Sequence, residues 1–149
     1  MSSGNGTSTA ASRAEQVERR RAERDELREQ ARTEQYAKDL EAIEALEGEL
    51  GLEIDIVKLG RFKDGLPSVV GLRTPDASEY KRYFQSVQRA GNADAKMMAF
   101  HQLGDLSWVY PADEATKKAM VEAHPAVRVV IANRAVKLAE QHAADEGKG

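Results

Sequence analysis

The sequence predicts an α+β chain, mostly α: a small β-hairpin packed on about four helices, with a long charged helix leading into it. Three observations carry this. Residues 13–47 hold neither Pro nor Gly and are dominated by Ala, Glu, Arg, Gln and Leu, the residues that lose least on entering a helix. Leu52, Ile54 and Ile56 alternate with Glu53, Asp55 and Val57, the period of a half-buried strand. After Thr74, four runs with helical apolar spacing are separated by Gly91, by Pro111 and by His124-Pro125.

The first segment, residues 1–11, is Ser, Gly, Thr, Asn and Ala after Met1, too polar to offset chain entropy by burial, and is expected to be disordered. Ser12 is the expected N-cap of a helix over residues 12–50. Its first half is charged all round: residues 12–35 carry seven Arg and seven acids. Glu15–Arg19, Arg19–Glu23, Arg21–Asp25 and Glu34–Lys38 stand at i,i+4 pairing distance, which supports a solvated helix. Val17, Leu27 and Ala31 leave the remaining seam positions to Arg and Glu, a poor coiled-coil heptad. In the second half, Tyr36, Leu40, Ile43, Leu46 and Leu50 recur at helical spacing and form an apolar stripe that needs a partner surface: by default its own domain, on the sharper reading another protein. Gly48 and Gly51 are expected to end the helix.

Residues 52–144 read as the compact body. Leu52–Val57 is the first strand, Asp64-Gly65 a hairpin signal, and Leu66–Leu72 the second strand. Thr74 as N-cap, Pro75 at the first helical position and Asp76 at the positive end of the dipole open a helix whose inward stripe is Ala77, Tyr80, Tyr83, Phe84 and Val87. Asn92 caps the next helix, which buries Met98, Ala99, Leu103 and Leu106. Val109-Tyr110-Pro111 breaks it. A short helix over Ala112–Ala123 and a closing helix over Ala126–Ala143 follow, and the tail at 145–149 is expected to fray.

Composition narrows the function classes. There is no Cys, so no thiolate nucleophile and no thiolate metal site. No apolar run approaches the ~20 residues of a membrane span, and the N-terminus lacks a basic-then-apolar leader pattern. Net charge is −3, against a general nucleic-acid binder, and the acids interleaved around Arg19-Arg20-Arg21 point the same way. His101, His124 and His142 lie on separate segments without metal-type spacing. No Gly-x-Ser-x-Gly or phosphate-loop signature is present, so neither a catalytic residue nor a cofactor is expected. What remains is protein binding. Met97, Met98 and Phe100 read as core or as an adaptable contact surface. Trp108 and Tyr110, on alternate positions of an extended segment, are expected to share a face, as core or as an aromatic hot spot.

One resemblance adds to this reading. An apolar strand leads into Arg73-Thr74-Pro75 and then Glu79-Tyr80-Lys81-Arg82-Tyr83-Phe84; a helix follows, then Trp108-Val109-Tyr110-Pro111 with acids at 113 and 114, a short helix, and His124-Pro125 before the last helix. This layout, over roughly half the chain, resembles the tail-assembly chaperone proteins of tailed bacteriophages. Asp76 stands near the usual Ser, and Ala112 where Asp is common. The resemblance implies a non-enzymatic protein of the host cytoplasm, with virion association left open, that masks the long helical tape-measure protein until tail-tube subunits enclose it. It implies an apolar patch of modest affinity. The candidate protein-binding residues are Tyr36, Leu40, Ile43, Leu46 and Leu50, then Met97, Met98 and Phe100, then Trp108 and Tyr110. The alternative reading is a structural component of a phage or phage-like particle that locks onto neighbours through the N-terminal helix.

Overall fold

The computed structural model describes residues 5–148, with side chains from Ala10 to Glu146. Helix α1 spans Asn5–Leu50, strand β1 Asp55–Lys58, strand β2 Val69–Leu72, helix α2 Ala77–Arg89, helix α3 Ala93–Ser107, strand β3 Trp108–Tyr110, helix α4 Glu114–Ala123 and helix α5 Val127–Lys148. The fold is therefore mostly helical around a small antiparallel sheet. The sheet has three strands, in the order β1-β2-β3, where the sequence pointed to a two-stranded hairpin. The extended segment at Trp108–Tyr110 is the third strand; its three residues are too short to show in the sequence that it pairs with β2.

Sheet and helices form three layers. Successive side chains on a strand point to opposite faces, and β2, the central strand, is buried on both. Val69 joins Ile43 of α1 and Ile54 on one face, with Tyr36, Leu46, Leu52, Val109 and Tyr110 packed around them. Val70 and Leu72 join Trp108, Met120, Val127 and Ile131 on the other. One layer is thus the second half of α1, the other is α4 and α5, and the strands lie between. Ile54 is buried, yet Ile56, two residues on, is 36% exposed, because β1 is an edge strand and α1 covers only one end of it.

Two glycines mark where backbones meet. A Cβ on Gly71 would stand 2.8 Å from both Ile54 Cγ2 and Tyr110 Cβ, so the centre of β2 admits only hydrogen there. A Cβ on Gly104 would come within 3.0–3.2 Å of Ala132, which lets α3 lie directly against α5.

Several element ends differ from expectation. The segment 1–11 was expected to be disordered; residues 1–4 lie outside the described residues, and from Asn5 the chain is already helical, so α1 does not begin at Ser12. Extending an existing helix fixes one residue per new hydrogen bond, which polar residues can sustain. The same argument applies at the other end, where α5 continues through the expected frayed tail to Lys148. Gly48 sits inside α1, and only Gly51 (φ +67°) closes it, donating its N–H to Glu47 O at 2.8 Å. The N-cap of α2 is Asp76 rather than Thr74: it accepts from Glu79 N, while Glu79 reaches back to the Asp76 N–H, a capping box.

Replacing Gly71 with Ala is expected to lower stability by about 1–3 kcal/mol, since the new methyl has no space. Urea unfolding followed by circular dichroism measures it, and an unchanged midpoint would contradict this packing.

Candidate protein-binding surfaces

The apolar stripe of α1 is consumed by the fold. Ile43 is 1% exposed in the core between α1 and the sheet; Tyr36 and Leu46 pack half-buried against it, Leu40 is half-buried, and only Leu50, at the helix end, stands 45% exposed. Lys58 Nζ lies 4.9 Å from the Tyr36 ring centroid, closing one edge of the seam. Glu47 accepts from Ile54 N at 3.1 Å, and Arg32 donates to Leu59 O.

At the middle of this seam stands Asp39, with no exposed surface. Its carboxylate accepts from Ser68 N (2.8 Å), Ser68 Oγ (2.6 Å), Gln35 Nε2 (2.9 Å) and the Tyr110 hydroxyl. A buried carboxylate is tolerable only when its lone pairs are filled in this way. Burial, reinforced by Asp39, pushes the Tyr110 hydroxyl above its ordinary pKa, so it stays a donor. Sequence reasoning missed Asp39. A single acid within a charged helix looks like all the others; its one distinguishing sign is its place among Tyr36, Leu40 and Ile43.

Trp108 and Tyr110 do not share a face. The β2–β3 register pairs Leu72 with Trp108 and Gly71 with Tyr110, so a bulge at Val109 shifts the alternation. Trp108, 5% exposed, packs among Leu72, Met120 and Ile131, while Tyr110 is half-buried on the α1 side. The Trp108 indole donates to Tyr110 O at 2.7 Å. Trp108 therefore serves as core. It also floors an open cleft of about 520 Å³ rimmed by Lys117, Lys118 and Glu122. Lys117 Nζ donates to Trp108 O at 2.9 Å, and Arg128 pairs with Asp105 at 3.0 Å.

Beyond Leu50 and Ile56, the exposed large apolar side chains of the body are Phe84 on α2, Met97, Met98 and Leu106 on α3, and Val129 and Val130 on α5. Tyr80, Tyr83, Phe84 and Val87 share one side of α2, with ring centroids 6.1 Å (Tyr80–Tyr83) and 6.5 Å (Tyr80–Phe84) apart. The sequence assigned this stripe to the interior, yet no residue of α2 is buried and Phe84 is 52% exposed. On α3 the buried residues are Ala99, Leu103, Gly104 and Ser107. Met98 points away from them at 63% exposure, Met97 is 49% exposed, and Phe100 is half-buried beside His101, 6.0 Å between ring centroids. Leu106, expected inside, is 48% exposed. Met97, Met98 and Phe84 are thus exposed on two helices that pack on each other, whereas Trp108 and the α1 stripe up to Leu46 are taken into the fold. Burial pushes the Tyr83 phenol up, followed by the effects of Tyr80 and of Glu140 on α5.

A bidentate ion pair holds α2 to the sheet. Both guanidinium nitrogens of Arg73, at the end of β2, donate to Glu79 at 2.7 Å. Hydrogen bonding to Arg73 above all holds the Glu79 carboxyl at about 2, below its ordinary 4.5.

Among the described residues no group of three or more His, Cys, Asp or Glu is placed to hold a metal ion, and no helix is long and apolar enough to cross a membrane. Compared with known proteins, the chain matches no family model, no curated protein and no solved structure at a significant level.

Asp39→Ala is expected to cost about 3 kcal/mol, because it strands Ser68 and Tyr110 donors in the seam; equal urea midpoints for variant and parent would contradict the role given to Asp39. The Glu79 pair carries a pH signature. A carboxyl whose pKa is depressed on folding stabilises above its unfolded value and loses that contribution as pH falls toward its folded value. The melting-temperature gap between the parent and Glu79→Gln is therefore expected to be full above pH 4.5 and to vanish near pH 2. A gap independent of pH would exclude the ion pair as its source.

Proposed function

We propose that this chain is a non-enzymatic assembly chaperone of tailed-phage type, acting in the host cytoplasm to keep the long helical tape-measure protein soluble during tail assembly. The observation that carries this reading is the amphipathic helix α2, none of whose residues is buried: its Phe84 stands exposed, as do Met97 and Met98 of α3, the helix it packs on. Such a face suits reversible cover of apolar helical segments: methionine side chains adapt to varied partners, and an aromatic anchor supplies contact area. The order of motifs from Arg73 to Pro125 supports the same class of protein.

A second reading, a structural component of a phage or phage-like particle, draws support from one observation. Residues 10–30 of α1 are exposed throughout, an arm available to neighbours.

Co-expression with the tape-measure protein of its own gene cluster separates the two. The chaperone reading expects the client to stay soluble and to co-purify with this chain, which should be missing from purified particles. Phe84→Asp, Met97→Asp and Met98→Asp together are expected to reduce co-purification on the order of tenfold, with the helical circular dichroism unchanged. Undiminished capture by that variant would overturn the surface assignment, and a fixed copy number in purified particles would favour the structural component.

A further inference from the structure

The projecting half of α1 is not evenly charged. Taking about 100° per residue, Arg13, Arg20, Arg21, Arg24, Arg28 and Arg32 fall within one sector of about 120°, while Arg19 and all seven acids from Glu15 to Glu34 lie outside it. The arginine face runs about 28 Å along the helix and is about 10 Å wide. It is also oriented: Arg21, Arg28 and Arg32 lie within about 20° of the line of Asp39, the centre of the docked stripe. The face that packs on the sheet thus continues, past the edge of the body, as a row of guanidinium groups.

Arg32 donates to Leu59 O, and none of the six is ion-paired among the described residues. The ion pairs of the described residues join Arg73–Glu79, Lys117–Glu114, Arg128–Asp105, Arg134–Asp55 and His142–Glu146, all in the body; the i,i+4 pairs expected along the arm are not among them. Where the arm meets the body, the row enters a cleft of about 370 Å³ lined by Arg28, Arg32, Arg61 and His124, with Glu29 the one acid. The Nε2 of His124 is buried and has no hydrogen-bond partner.

The geometry points to a docking track for an acidic α-helix of a partner protein, seated along the arginine face with its last carboxylates in the Arg28–Arg61–His124 cleft. The row is as wide as one helix, and its i,i+3 and i,i+4 steps match the steps at which a partner helix presents carboxylates. Every basic residue before Lys38 is Arg, the side chain that pairs with carboxylates through two parallel hydrogen bonds. Duplex DNA fits less well. A helix in the major groove turns both flanks toward phosphates, and here the flanks carry Glu18 and Asp25 on one side and Glu23 and Glu34 on the other. This track is separate from the α2–α3 face and stands whether or not the client is a tape-measure protein.

The test titrates the full chain against two labelled probes, an alanine-based helical peptide with a single glutamate stripe and a short DNA duplex, at about 50 and about 300 mM salt. The track predicts peptide binding that weakens with salt and exceeds duplex binding. Arg24→Glu should weaken it on the order of tenfold, whereas Arg19→Glu, the same charge change on the opposite side, should change it less than about twofold. Arg61→Glu should also weaken it. Arg19 and Arg24 are exposed and precede the Arg28–Arg32 stretch that borders the body, so the two arm variants leave the body's packing intact. Equal losses at Arg19 and Arg24 would reduce the effect to net charge and overturn the track. So would tighter binding of the duplex, no peptide binding at low salt, or a salt-sensitive dimer abolished by Arg24→Glu, which would make a second copy the occupant.

Discussion

The carboxylate of Asp39 fixes the rest of the structure. An unpaired carboxylate at that depth would be prohibitive, so the fold is held to the one arrangement in which Ser68, Gln35 and Tyr110 all donate to it. Ser68 immediately precedes β2 and Tyr110 ends β3, so one side chain ties α1 to the central strand and to the strand beyond it. Rotating α1 by one residue would swing Asp39 about 100° out of reach. The network therefore decides which face of α1 meets the sheet, and through that, which way the arginines of the projecting half point.

The rest of the body is built outward from this seam. β2 is buried on both faces, and Gly71 lets Ile54 and Tyr110 close over it. α5 covers the opposite face and meets α3 backbone to backbone at Gly104. α2 is the exception. It is held by its contacts with α3 and α5 and by the Arg73–Glu79 pair; its Tyr80 and Tyr83 are half-buried and its Phe84 stays exposed. One seam therefore leaves two chemically distinct surfaces in one chain: an apolar, methionine-bearing face on α2–α3, and a polar row of arginines on the arm.

Much of this was legible in the sequence. The helices announced themselves by composition, by apolar spacing and by Gly and Pro punctuation, and the stripe from Tyr36 to Leu50 was correctly seen to need a partner surface. What the pattern did not contain was depth. Tyr80, Tyr83 and Phe84 have the spacing of a buried stripe, and whether such a stripe is covered depends on how much of it α3 and α5 reach. Trp108 and Tyr110 lie two apart, but a bulge at Val109, invisible in a three-residue strand, sends them to opposite faces. Asp39 was hidden because its role is set by Ser68 and Tyr110, 29 and 71 residues away.

One continuous helix, α1, is docked over its second half and free over its first, with its arginine side turned toward the body. The chain contains no Cys, so Ala14→Cys and Lys118→Cys introduce two unique spin-label sites, one on the arm and one on α4. A pulsed electron paramagnetic resonance distance between them reads the geometry directly. A docked and rigid α1 gives a single narrow distribution, beyond about 25 Å as set by the rise from Ala14 to Arg32, and lost when Asp39→Ala releases the seam. A short distance in the parent, or a distribution unmoved by Asp39→Ala, would contradict it.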